Sequence, residues 1–171
     1  LVGEAKSGGN PVGTNNVTTI TNGTLRLNNN TGAVNNTTST GALTLNSGNA
    51  ALEVNDAGGF GTTLTFGSIA RTNNSTLTIK GITTDIGTAG LETLIFTASP
   101  ASINGTMGTW AVIEGLGNVG DYADVPFGSL VTATYNNNGD LDGAVAGDLF
   151  RVDVTNSALT ADRSVFAFRT N

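Results

Sequence analysis

Ala42-Leu43-Thr44-Leu45-Asn46 alternates small or apolar residues with polar ones, closes on asparagine, and sets a pattern to which the chain keeps returning. Close relatives of this unit stand at Thr24-Leu25-Arg26-Leu27-Asn28, Ala51-Leu52-Glu53-Val54-Asn55 and Thr63-Leu64-Thr65-Phe66-Gly67. Two more are Thr76-Leu77-Thr78-Ile79-Lys80-Gly81 and Thr93-Leu94-Ile95-Phe96. Alternation with period two puts one set of side chains on a buried face and the other in water, the pattern of a half-buried β-strand. Asn or Gly ends most units, and both tolerate the positive φ that a corner needs. No window carries apolar residues at helical spacing over a useful length. The chain is expected to be all-β.

Strand starts fall near positions 24, 42, 51, 63, 76, 93, 110, 131, 149 and 165, at uneven intervals. Two architectures accommodate them. A parallel β-solenoid (β-helix) makes each coil of about 20–25 residues from two or three such strands and stacks like on like. A β-sandwich joins the strands as antiparallel hairpins at a spacing of about 8–12 residues. Most intervals exceed the hairpin spacing, and Asn-Gly turns between strands are scarce. The solenoid is therefore the expected fold, with the sandwich as its alternative.

A single solenoid domain over residues 1–171 divides by texture. Residues 1–16 form a Gly/Asn-rich extended arm, 17–109 carry the short-coil repeats, and 110–171 hold larger, acidic, loop-bearing coils. The expected core is Leu25, Leu27, Leu43, Leu45, Leu52, Val54, Leu64, Phe66, Leu77, Ile79, Leu94, Phe96, Val112, Phe150, Val152, Phe166 and Phe168.

Composition narrows the chemistry. Gly (24), Thr (28) and Asn (21) supply 73 of the 171 residues, and only 12% are charged. The chain lacks His and Cys, which removes Ser-His-Asp and Cys-His catalysis, imidazole and thiolate metal sites, and disulfides. The single methionine is Met107, so the chain is expected to be a processed product or a piece of a longer one, with no signal peptide remaining. No apolar run approaches the length of a membrane-crossing helix, so the chain is not expected to span a membrane. The net charge of −6 divides as −1 over residues 1–110 and −5 over 111–171, and the seven basic residues form no patch. Such a surface repels phosphate backbones, so nucleic acid is not an expected partner.

Three segments resemble the autotransporter-associated β-strand repeat family of secreted bacterial surface proteins. The first is the Gly-Ala-Leu-Thr-Leu strand with its Asn-Ser-Gly turn (residues 41–48), echoed at 62–67 and 75–81. The second is Ile103-Asn104-Gly105-Thr106-Met107-Gly108-Thr109-Trp110-Ala111-Val112. The third is Leu159-Thr160-Ala161-Asp162-Arg163-Ser164-Val165-Phe166-Ala167-Phe168-Arg169. The resemblance implies parallel β-helix coils and an extracellular, cell-surface location. It implies a structural module, a repeat of a surface stalk or of a self-assembling filament, and not an enzyme. The alternative is an adhesin-type module whose acidic loops, residues 118–125 and 136–148, bind a glycan or a protein.

Candidate sites are few. Asn138-Gly139-Asp140-Leu141-Asp142-Gly143 matches the first half of a calcium loop, and Asp148 could add an oxygen. Position twelve of that loop is Leu149 in place of the ligating Glu, so a solvated turn is the plainer expectation. Asn138, Asp140, Asp142 and Asp148 are the only metal ligands put forward, and calcium the only cofactor. The carboxylate pairs Asp121/Asp124 and Asp140/Asp142 could in principle act on polysaccharides, but the cations and aromatics that such a cleft needs are not clustered with them. The Thr-x-Thr pairs 63/65, 76/78 and 132/134 recur at no fixed period, so strand propensity explains them better than a hydroxyl lattice. The Asn-x-Ser/Thr sequons are numerous because Asn and Thr are abundant. No helical cap is visible in residues 1–16 or after the strand at 165–169, so both ends are expected to be open. Open strand edges pair with other chains, which predicts end-to-end homopolymers or donation of the arm to a neighbour.

Overall fold

A computed structural model of the chain describes residues 2–5, 14–29, 36–88, 91–104, 106–116, 121–124, 131–133, 135, 141–152 and 162–170. The fold is all-β with parallel sheets, and the helix among the described residues is a single 3-10 turn, Leu141–Gly143. In chain order the strands are β1 (Val2–Ala5), β2 (Thr18–Asn29), β3 (Asn36–Thr40), β4 (Leu43–Asn55), β5 (Thr62–Phe66), β6 (Ile69–Arg71) and β7 (Thr76–Gly81). They continue as β8 (Glu92–Phe96), β9 (Ala111–Glu114), β10 (Asp121–Asp124), β11 (Val131–Thr132), β12 (Leu149–Val152) and β13 (Ala167–Thr170).

One sheet runs β1-β2-β4-β7-β9-β10-β11, with β6 also paired to β4; a second runs β3-β5-β8; β12 and β13 form a third. Every pairing between these strands is parallel except β9 with β10 and β10 with β11. In the first sheet Leu25 lies beside Leu52, Leu52 beside Ile79 and Ile79 beside Ile113. In the second, Thr38 lies beside Leu64 and Leu64 beside Leu94. Along the column from Leu25 to Ile113 the first two steps are equal in length and the last is longer.

The units at Leu43 and Leu52 read as two strands in sequence, yet both belong to β4, which is 13 residues long. Asn and Gly explain the continuity. Asn22 (φ 54°) in β2 and Gly48 (φ 66°) in β4 adopt left-handed backbone, and the β2–β4 register shifts between Ile20 and Gly23. Each strand turns a corner there while its pairing resumes beyond it. Asn73 and Asn74 (φ 51° and 53°) make the corresponding corner between β6 and β7, which pair with β4 on either side of its bend.

The inward residues build one continuous core. Leu43, Leu45, Leu52, Val54, Leu64, Phe66, Leu77, Ile79, Leu94 and Phe96 have no measurable exposure, and Leu25 and Leu27 are buried beside them. Burying one such side chain contributes roughly 1.5–3 kcal/mol relative to leaving it in water. Phe66 and Phe96 stack with ring centroids 6.0 Å apart. A smaller cluster joins Ala133, Leu149 and Ala167, with Tyr135 and Phe166 against it.

Three sequence expectations need correction. Val112 is only half-buried, and Ala111 and Ile113 take the inward positions, because Leu77 and Ile79 beside them already face the core. Phe166 is also half-buried and Phe168 is 43% exposed; Ala167 points inward against Leu149. In both stretches a small alanine holds a position that a larger neighbour was expected to fill. Within the arm, Val2–Ala5 is a strand that pairs in parallel with residues 26–29 of the same chain. Part of the expected acidic loop is the strand β10, which pairs antiparallel with β9 and β11. Phe150 is buried as expected, while the side chain of Val152 lies outside the described residues.

Candidate functional site

The most concentrated polar chemistry among the described residues sits inside the fold, where β2 and β4 end and β5 and β8 begin. Asn29, Asp56, Thr62 and Glu92 are all buried there. Parallel pairing brings them together: Asn28 is opposite Asn55, which puts Asn29 level with Asp56, and Thr62 is opposite Glu92. A buried carboxylate is tolerated only when hydrogen bonds replace the water it has lost. Both carboxylates are supplied in this way.

Asp56 Oδ2 accepts from the Gly61 N–H at 2.9 Å, and Oδ1 accepts from the Phe60 N–H at 3.3 Å. Oδ1 also accepts from the Thr62 hydroxyl at 3.4 Å and the Asn29 amide at 3.5 Å, and the same amide reaches the Gly61 carbonyl at 3.3 Å. Glu92 Oε1 accepts from the N–H groups of Asp56 (2.7 Å) and Thr83 (2.9 Å), and Oε2 from that of Thr84 (3.0 Å). The two acids therefore act as acceptors for backbone that turns a corner and has no strand to pair with. Gly81 makes room for this. A Cβ on it would lie 2.0 Å from the Thr84 carbonyl oxygen and 2.6 Å from Glu92 Oε2.

On the outer face of the first sheet, Arg26, Glu53, Lys80 and Glu114 occupy one register position in β2, β4, β7 and β9. Their charges alternate in sign. Arg26 Nε meets Glu53 Oε2 at 2.5 Å, and Lys80 pairs with Glu114. Beside this column the Asn55 amide donates to Asn28 Oδ1 (3.2 Å), and the Thr83 hydroxyl donates to Asn55 Oδ1 (2.8 Å).

The residues expected to bind calcium are distributed as follows. Asn138 and Asp140 lie outside the described residues. Asp142, in the 3-10 turn, receives a hydrogen bond from Arg163 Nε at 3.4 Å. Asp148 Oδ2 accepts from the Val145 N–H at 2.9 Å, closing the turn that leads into β12. Among the described residues no three His, Cys, Asp or Glu side chains gather as metal ligands do. Of the pair Asp121/Asp124, Asp124 accepts from the Ser102 hydroxyl at 3.2 Å, and the side chain of Asp121 is not described.

Two of the described aromatic rings are also engaged. The Arg71 guanidinium lies 5.4 Å from the Trp110 ring centroid, and that of Arg151 lies 5.2 Å from the Tyr135 ring. A sugar stacking on either ring would have to compete with a cation for that face.

Sequence reading missed the buried acids. Glu92 did carry a signal, because Glu92, Leu94 and Phe96 share one parity and the two apolar members fix that parity as inward. Asp56 follows the last residue of an alternating unit and carried no comparable mark. No protein-family model, curated protein or solved structure matches this chain.

Proposed function

We propose that the chain is a parallel β-solenoid serving as a structural spacer, an extracellular module of a cell-surface stalk or matrix. The observation that carries this is the column Leu25, Leu52, Ile79 and Ile113, in which residues far apart in the chain are parallel neighbours in the sheet. Each step is then one circuit of the backbone, and the corners at Asn22, Gly48 and Asn73–Asn74 are places where successive circuits bend alike. Hydrophobic columns inside and hydrogen-bonded or charge-paired columns outside give every circuit the same neighbours, which suits a stiff rod. Buried Asp56 and Glu92 hold corners together, a mechanical task that needs no substrate. The resemblance to autotransporter-associated repeats points to the same architecture and is the ground for placing the module outside the cell. The antiparallel β10 and β11 blunt one flank of the first sheet, which favours a monomeric spacer over an end-to-end filament.

The test is to lengthen the rod by one circuit. Asn49 and Thr76 are register partners on β4 and β7, so a second copy of residues 50–76, inserted after Thr76, adds one full turn of chain. In a solenoid this variant stays cooperatively folded, and small-angle scattering shows a particle longer by about 4.8 Å with an unchanged cross-section. Loss of cooperative unfolding, or growth in cross-section, would overturn the solenoid. Strong binding of the wild-type chain to a glycan array would replace the spacer with an adhesin.

A further inference from the structure

Strands β5 and β8 of the second sheet present an ordered, uncharged face with the hydroxyls of Thr63, Thr65 and Thr93, and we infer that this face binds ice. Parallel pairing aligns Thr37, Thr63 and Thr93 as one file across β3, β5 and β8, and Ser39, Thr65 and Ile95 as the next. Of the Thr-x-Thr pairs in the sequence only 63/65 lies in this sheet, and parallel pairing sets it level with Thr93 and Ile95 of β8. Irregular turns absorb the differences in chain length.

Three features point to ice. The spacing is regular, about 4.8 Å between neighbouring strands and about 6.7 Å between positions i and i+2 of one strand. The base is rigid, because Leu64, Phe66, Leu94 and Phe96 on the opposite face are fully buried, and Thr is stiff at χ1. The hydroxyls of Thr63, Thr65 and Thr93, which are half-buried and face outward, make no hydrogen bond to another described group. Thr62 on the inner face donates instead to Asp56. The outward array thus offers unused donors and acceptors at fixed positions.

Charge and shape select the ligand. Thr63, Thr65, Thr93 and Ile95 are uncharged, in contrast to the Arg26–Glu53–Lys80–Glu114 column of the first sheet, so nothing here attracts an ionic polymer. None of the four is aromatic, so no sugar ring finds a stacking platform. Hydroxyls alternating with methyl groups suit a lattice of water. Binding an ordered water from the liquid costs immobilisation entropy, whereas water in ice is already immobilised. The array therefore distinguishes the solid from the liquid.

The experiment measures thermal hysteresis and crystal shape with the whole chain, alongside circular dichroism and a melting curve. Wild-type protein is expected to hold a seed crystal at a facet below the melting point. Thr65→Lys and Thr63→Lys are expected to abolish the effect while leaving the fold intact. Thr78→Lys, on the outer face of the first sheet, is expected to retain it. A folded wild-type chain without hysteresis would overturn the inference, as would equal loss in Thr78→Lys and Thr65→Lys. Retention on microcrystalline cellulose or chitin without hysteresis would overturn it too and assign the face to a polysaccharide.

Discussion

Arg26 and Glu53 belong to successive units of the chain and are directly opposite in space, with Nε and Oε2 at 2.5 Å. Lys80 and Glu114 extend the same column with alternating sign. Glu53 is the better shielded partner, its side chain 14% exposed against 38% for Arg26. It also has a cation on each side. Replacing it by Gln should cost about 0.5–1 kcal/mol, the range for a partly exposed pair and for a cross-strand contact. Glu53→Lys should cost more, because three cations would then be neighbours. Urea titrations at low and at high salt check this: the gap between Glu53→Lys and wild type should shrink at high salt, where screening acts over shorter distances.

Glu92 supports a larger prediction. It receives the N–H groups of Asp56, Thr83 and Thr84 in a site without measurable solvent exposure. Glu92→Ala leaves three backbone donors without their acceptor, that of Asp56 buried and those of Thr83 and Thr84 partly buried, and should cost about 2–3 kcal/mol, since a shielded donor without a partner pays its desolvation penalty uncompensated. Glu92→Gln keeps the volume and one acceptor oxygen but turns an amide N–H₂ toward backbone donors, so it should cost slightly less. Denaturant midpoints for the two variants, compared at equal m-value, measure the difference.

Much of the fold was legible because alternation fixes parity. Leu64, Phe66, Leu94 and Phe96 were assigned to the core from sequence, and all four are fully buried. Legibility failed where parity competed with size. In Trp110-Ala111-Val112-Ile113 either parity offers an apolar residue, and only the neighbouring Leu77 and Ile79 decide between them. It failed again at β3, Asn36-Thr37-Thr38-Ser39-Thr40, which contains no apolar residue and owes its strand to pairing with β5. The buried acids were obscure for a related reason. An acidic residue reads as solvent-facing until the backbone donors that surround it are known, and for Glu92 one of those donors is the distant Asp56 N–H.

Two glycines separate necessity from convenience. A Cβ at Gly81 would fall 2.0 Å from the Thr84 carbonyl oxygen, closer than any rotamer change can relieve. Gly81→Ala should therefore displace the corner that carries the Thr83 and Thr84 donors and cost roughly 2–4 kcal/mol, the range of overpacking with lost buried hydrogen bonds. Gly23 has nothing within 4 Å of the same position. Gly23→Ala should be neutral or stabilising by about 0.5 kcal/mol, because alanine loses less chain entropy on folding than glycine does. Melting temperatures of the two single variants test the contrast.

The register of β9 is tested most directly by neighbouring residues of similar chemistry. Ile113 lies beside Ile79 and is 2% exposed, whereas Val112 lies beside Thr78 on the outer face and is half-buried. Threonine has nearly the shape of valine and a similar strand preference, so its hydroxyl reports whether a position is dry. Val112→Thr should change stability by less than about 0.5 kcal/mol, as surface substitutions usually do. Ile113→Thr shortens the side chain in the column next to Ile79 and buries a hydroxyl with no partner, so it should cost about 2–4 kcal/mol. Equal costs at the two positions, measured by urea unfolding, would mean that β9 is shifted by one residue, and with it the long step of chain that joins β7 to β9.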